Sequence, residues 1–447
     1  MNGLNRRQML LGGAAAGLAA GALPVVARSQ AAKPTRLVIV RAGGGWDPTF
    51  CFEPRYSDGN VDGPDVDETG AVGDEEEIRS FGGVELMAND FKRPSVTQFF
   101  ENWMSRTAIL NGIWTGSIAH EPATIRMLTG TADTRNADFG AIVGATYGNA
   151  LPLGYVDISG YAFTGPLAAS SGQLGFNAQI RNLVDAVPSY SAPGLLAAEG
   201  VEYPMYLAPD QQQIRDFTLA RSERYRQLPG RGLGSNGVHL DDLVASLDRA
   251  ARFKGEAVGI LSAIDPATGL PMLDIGRSPS LTDSTTLAAE LLHANLCTAV
   301  LLDSKQAFDT HSSNVQQHEC YERLFYGLNA LMDNLAAYDL VESTMVVVVS
   351  EMTRTPRLND ESGKDHWAHA TVMAVGGGVA GGRKYGGYNE LIESLPVDYA
   401  TGEPDPATGS TQPLLKYDNL VAGFIEGMGI DSQEWLPNVT PFTAFHA

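Results

Sequence analysis

Cysteine is scarce: Cys51, Cys297 and Cys320 are the only three in 447 residues. No CxxC pair or cysteine cluster occurs, so a zinc ribbon and an iron–sulfur site are excluded, and one disulfide at most can form. Basic charge is sparse as well. Lys and Arg total 31 against 52 Asp and Glu, a formal charge of −21 with no basic block. A grip on phosphate backbones needs a Lys/Arg surface, which argues against nucleic acid as a partner. Gly43–Asp47 is no dinucleotide loop, because Pro48 stands where the third glycine belongs. Around Ser117 the GxSxG nucleophile elbow is missing. Internal repeats and an aromatic stacking stripe are absent.

What is present describes a globular chain, 44% apolar and 19% charged. Its first residues read as an address. Arg6-Arg7 precedes a Gly/Ala-rich apolar run from Leu10 to Val26, and the small residues Ser29 and Ala31 suit a signal peptidase. Residues 1–31 are therefore expected to be a twin-arginine export signal, with a periplasmic or secreted mature chain 32–447. An ordinary secretory signal that happens to carry Arg-Arg is the blander reading. The run is short and Gly/Ala-rich for a membrane anchor, and the mature chain is expected to hold no transmembrane segment.

Short β-branched runs at Arg36–Arg41, Thr107–Leu110, Thr298–Leu302, Met345–Val349 and Thr371–Val375 predict strands. Helical spacing appears at Ala123–Leu128, Leu287–Cys297, Tyr321–Leu335 and Leu420–Met428. Uninterrupted apolar strands alternating with helices predict an α/β fold, a mostly parallel sheet with helices on both faces. Residues 150–280, rich in Gly, Pro and Ser with a polar helix at Gln211–Gln227, read as an insertion capping a site on that sheet. Asp58–Glu77 carries nine acids and no Lys or Arg. It imitates a calcium loop only until its twelfth position, which is Thr69, and a solvated acidic loop is expected. Thr401–Pro413 reads as a second surface loop.

Chemistry-bearing residues gather where the strands end. Asp47 closes the glycine loop after the first strand, and Asp309 and His311 follow the run at Thr298. Glu351 follows the valine run, and Asp365-His366 precedes the strand at Thr371, with His318 and His369 nearby. Carboxylates with neutral imidazoles suit divalent zinc or manganese, and mixed Asp/His shells occur in two-metal hydrolases. Each residue alone reads as a cap or a hydrogen-bonded loop anchor; the set, at strand ends, favours the metal reading.

The segments Val38–Asp47, Phe308–His311, Ser350–Pro356 and Asp365-His366, taken together, resemble the bacterial domain-of-unknown-function family numbered 1501. Its typical Ser-Glu-Phe-Gly-Arg-Thr-Pro appears here as Ser-Glu-Met-Thr-Arg-Thr-Pro, and Gly376–Gly382 looks like its glycine-rich stretch. That family looks like a branch of the alkaline phosphatase and sulfatase superfamily. The resemblance implies an alkaline phosphatase/sulfatase-like fold and an exported two-metal hydrolase of phosphate or sulfate esters. Zinc, manganese or calcium would be held by Asp47, Asp309, His311, Glu351, Asp365 and His366, with His369 the alternative to His366. Arg354 would clamp the anion of a small-molecule or polysaccharide ester, or else form a surface ion pair. His120–Gly130 resembles the element that carries the superfamily nucleophile, yet His120 stands in the nucleophile's place. It would be an extra ligand or a phosphohistidine, or the covalent chemistry is lost; Ser117 and Thr124 are the neighbouring hydroxyls. The competing expectation is a non-catalytic exported binding or assembly protein on the same fold.

Overall fold

A few apolar strands, buried at nearly every position, organise the molecule. In the computed structural model, residues 33–66, 73, 75–173, 208–230, 234–261 and 280–447 are described. The export signal read in residues 1–31 lies outside them. Nine strands form the main sheet: β1 (Arg36–Arg41), β4 (Thr107–Trp114), β5 (Tyr155–Asp157), β6 (Ser171–Gln173), β7 (Ala299–Asp303), β8 (Thr344–Val349), β11 (His369–Gly376), β12 (Arg383–Gly386) and β13 (Leu415–Lys416). Their order is β12-β4-β11-β8-β1-β7-β5-β6, with β13 also on β4. Two small ribbons lie outside it, β2 (Glu77–Phe81) with β3 (Val84–Ala88), and β9 (Thr353–Arg354) with β10 (His366–Trp367).

Only β11 is antiparallel to its neighbours; every other pairing in the main sheet is parallel. The period of two in a strand sends alternate residues to opposite faces. Val38, Val40, Val300, Leu302, Val346 and Val348 enter one core, under the helices Pro94–Trp103, Leu281–His293 and Gln317–Ala337. Leu37, Ile39, Ala299, Leu301, Met345 and Val347 enter the other, under His120–Thr129, Phe139–Tyr147 and Tyr417–Gly427. Both faces are thus covered, which is why these strands are apolar without a polar side. The helix read at Leu287–Cys297 ends earlier, at His293, and Cys297 lies in the connection to β7.

The segment 150–280 does not begin as a cap. Tyr155–Asp157 and Ser171–Gln173 are strands that extend the sheet at its β7 side. The helices Ala208–Arg226 and Ser235–Leu261 pack on each other, and the second packs on Leu281–His293. Residues 174–207 and 262–279 lie outside the described residues. The acidic loop is less solvated than its composition suggests. Glu76 is buried against Arg93 (2.6 Å), Asp65 accepts from the N–H and hydroxyl of Ser57, and Asp62 accepts from the Leu358 N–H at 2.8 Å. Cys51, Cys297 and Cys320 are free and buried. No helix among the described residues is long and apolar enough to cross a membrane.

Candidate metal centre

The carboxyl ends of β1, β4, β7 and β8 lie along one edge of the sheet, and the reversed β11 begins at that edge, since Val372 pairs with Val349. Loops leaving four of these strands and the segment entering β11 therefore deliver side chains to one place, as open α/β sheets generally do. After β4 the chain turns into the helix His120–Thr129, whose first residue is His120. The loop after β7 supplies Asp309 and His311, the loop after β8 Glu351 and Arg354, and the ribbon strand before β11 His366.

His120, Asp309 and His366 each offer a ligand atom, all within 4.8 Å of one another. His366 Nε2 stands 3.0 Å from Asp309 Oδ1, His311 Nε2 3.1 Å from the same oxygen, and His120 Nε2 3.4 Å from Asp309 Oδ2. His311 Nε2 and His366 Nε2 are 2.9 Å apart. Each ring is anchored through its other nitrogen. His120 Nδ1 lies 2.8 Å from Glu351 Oε1, His311 Nδ1 3.0 Å from Asp365 Oδ1, and His366 Nδ1 2.7 Å from the Ile118 carbonyl. A carbonyl only accepts, and so does an ionised carboxylate, so each Nδ1 carries the proton and donates it. When the rings are neutral, three Nε2 lone pairs face Asp309; without an ion, a second proton on a ring is donated to that carboxylate, and the Glu351 hydrogen bond raises the His120 pKa against the effect of burial. A divalent cation would take the place of such protons, and imidazoles fixed from behind in this way are the usual preparation for metal ligation. The donor set, imidazole nitrogen plus carboxylate oxygen, fits zinc or manganese.

The supporting charges agree. Burial by itself would raise the Glu351 carboxyl, but the His120 hydrogen bond and the Arg41 charge hold it below its ordinary range. The His311 hydrogen bond keeps Asp365 low. Burial opposes the lowering at Asp309, where the Arg354 and His366 hydrogen bonds bring it to about 2. Glu351 is fully buried and its Oε2 has no hydrogen-bond partner. Gly44 donates its N–H to Glu351 Oε1 at 2.9 Å while holding φ at +112°, and a Cβ there would meet the Asp309 nitrogen at 2.5 Å. Glycine is required where the first strand turns beneath the site.

Several residues expected from the sequence stand elsewhere. Asp47 is buried, caps a short 3₁₀ turn through Thr49, and pairs with the buried Lys364 ammonium at 2.7 Å and with Asn314 at 2.9 Å. The Lys364 ammonium neutralises that carboxylate in this structure. Glu351 and Asp365 orient His120 and His311 from behind. Arg354 is no open clamp. It is buried, its Nε donates to the Gly45 carbonyl at 2.8 Å and its Nη1 to the Lys364 carbonyl at 3.0 Å, while Nη2 donates to the Gly44 carbonyl and to Asp309. Of His366 and His369, the structure brings His366 to Asp309, Nε2 to Oδ1 at 3.0 Å. His369 lies between Trp114 and Trp367, bonds Ser394, and is pushed by burial to about 4. His318 packs on Phe50 beside Arg93, and burial pushes it to about 2.

Beside the cluster opens a cavity of about 660 Å³, walled by Arg41, Gly43 and Gly44, by His120, Glu121 and Thr124 of the helix, by Gly160–Phe163, and by Asp303, Lys305–Ala307, Asp309 and Glu351. Of the segment read as a cap, only residues 160–163 line it among the described residues. Thr124 is in the wall; Ser117 instead accepts from the Ala119 N–H at 3.1 Å within the turn before the helix. Sequence reasoning missed Arg41, Asp303 and Lys305. Arg41 bonds Asp303 at 2.8 Å, approaches Glu351 at 3.5 Å and lies 3.9 Å over the Tyr161 ring. Their one signal was position, a charge closing each of two neighbouring apolar strands.

These features define an α/β protein with an imidazole–carboxylate centre at the carboxyl edge of its sheet. The chain belongs to the family described as "Protein of unknown function (DUF1501)", whose model matches residues 34–399. No curated protein sequence is significantly similar to it. Among solved structures it is similar to Ps i-CgsB, at 9% identity and TM-score 0.40 over 92% of this chain and 75% of that one. It is similar to a mutant of the TAB5 alkaline phosphatase with Mg bound in its M3 site, at 10% identity and TM-score 0.34 over 90% and 100%. A protein in the alkaline phosphatase superfamily from Vibrio parahaemolyticus matches at 8% identity and TM-score 0.35, over 90% and 67%.

Proposed function

We propose that this chain is an exported metal-dependent hydrolase of phosphate or sulfate esters. The observation that carries this reading is the set of three imidazoles, each tied through Nδ1, that turn Nε2 toward Asp309 at the wall of a cavity large enough for a small ester. His120, His366, Asp309 and His311 would hold the ion. A divalent ion held there would polarise an ester oxygen and lower the pKa of a water molecule. Glu351, Asp365 and the Ile118 carbonyl keep the three rings in the ligating tautomer. Tyr161 and Phe163 line one wall, and Glu121, which makes no ion pair among the described residues, can exchange a proton with a leaving group. The Arg6-Arg7 pattern supports export by the twin-arginine route.

One ion is proposed in place of two, because Asp47 is already neutralised by Lys364. Protein purified without chelators is expected to carry about one divalent ion per chain, with His366→Ala and His120→Ala each losing it. Elemental analysis decides this, and no metal above background would remove the basis of the proposal. Turnover of a panel of phosphate and sulfate esters, abolished by chelator, tests the hydrolysis itself. Conservative replacement of both arginines, Arg6→Lys with Arg7→Lys, is expected to keep the protein out of the periplasmic fraction.

A second reading, a non-catalytic binding protein, has two observations behind it. His120 stands where a hydroxyl nucleophile is expected, and Arg354 is fully committed to backbone carbonyls and Asp309. Metal-loaded protein inert toward every ester in the panel would favour it.

A further inference from the structure

With Arg354 buried behind the site, an anionic substrate needs another cation. The charged side chains that line the cavity, histidines aside, are Glu121, Asp303, Asp309 and Glu351 against Arg41 and Lys305. Four negative groups there stand against two positive ones, and Arg354 is held behind the wall on Asp309. Arg41 is spent on Asp303 and Glu351. Lys305 makes no ion pair among the described residues.

The backbone of Lys305 is the second observation. Its φ is +58°, a left-handed conformation that a lysine rarely adopts and that glycine takes without penalty. The loop is built to enforce it: the Lys305 N–H donates to Asp303 Oδ1 at 2.8 Å, and the Ser304 N–H donates to the Arg41 carbonyl at 2.8 Å. Asp303 thereby holds both the turn and Arg41. A strained non-glycine residue held by its surroundings at a cavity wall marks a place where the side chain is needed.

We propose that Lys305 grips the anionic group of the substrate and sets the preference of the cavity for anions. This rests on the ester-hydrolase reading. The ammonium, on a flexible stem at the wall, supplies charge-assisted hydrogen bonds to phosphate or sulfate oxygens that the ion leaves free.

The test uses metal-loaded mature protein and inorganic phosphate, with sulfate in parallel, by isothermal titration calorimetry. Lys305→Ala and Lys305→Gly are expected to lose roughly tenfold or more in phosphate affinity, with metal content unchanged. Lys305→Arg is expected to restore most of the affinity. The glycine variant guards against misfolding, since its backbone suits a positive φ. Phosphate affinity equal to wild type in both the Ala and Gly variants would overturn the role of Lys305 and leave the hydrolase reading standing. Metal-loaded wild type that binds neither anion would overturn both.

Discussion

The histidines of the cluster depend on what stands behind them. Glu351 illustrates this, because it touches His120, Gly44 and Arg41 and has one oxygen without a partner. Glu351→Gln keeps the shape and removes the charge that orients His120. It is expected to weaken metal binding by about 10–100-fold, read by competition titration against a chelating dye, with the fold retained by circular dichroism. Unchanged affinity would mean that His120 needs no anchor. Lys364 and Asp47 make the complementary case. Both are buried, so Lys364→Met leaves a buried carboxylate without its counter-ion and is expected to cost roughly 3–5 kcal/mol by chemical denaturation. Adding Asp47→Asn should recover part of that loss. At this scale the sequence was readable for residue type and unreadable for partner: His366 and His369 look alike in the chain, and only the Ile118 carbonyl and the Ser394 hydroxyl tell them apart.

Elements carry the next layer, and the wall of the cavity shows how. Asp138 caps the helix Phe139–Tyr147 through the Ala141 N–H at 2.7 Å and also accepts from the Phe163 N–H at 2.8 Å, which ties the loop Gly160–Phe163 to that helix. Burial pushes this carboxyl up to about 7, against the pull of its backbone donors. The raised value means the folded state keeps a proton that the unfolded chain releases. Its contribution is therefore full below the ordinary carboxylate pKa near 4 and is lost as pH rises to about 7, with a slope of up to about 1.4 kcal/mol per pH unit. Asp138→Asn removes this term. Its stability relative to wild type should rise between pH 4 and 7, followed by urea denaturation at each pH; a difference independent of pH would refute the linkage. The strands and helices themselves were legible, because β-branched runs and i, i+3, i+4 spacing are local signals. Short edge strands such as Ser171–Gln173 were not, since three polar residues pair only because a neighbour is there.

For the whole molecule, the centre ties together loops from strands far apart in sequence, with His120 and His366 meeting across the sheet edge. An ion held there binds the folded chain and not the unfolded one, adding about 2.7 kcal/mol at a hundredfold excess over Kd. Removing it with chelator should lower Tm by several degrees, reversibly on adding back zinc or manganese. A Tm indifferent to chelator would argue that no ion is bound.

The sequence alone determined the composition class, the covered parallel sheet, and the gathering of Asp and His residues at strand ends. Each of these follows from local pattern or from residue type. Tertiary structure alone decided which of those residues meet. Reversal of β11 brings His366 to the edge where the parallel strands end, Lys364 pairs with Asp47, and Arg354 is buried against backbone carbonyls and Asp309. Ligation depends on which lone pairs face one another, and that is a property of side chains brought together from separate loops, which no spacing along the chain records.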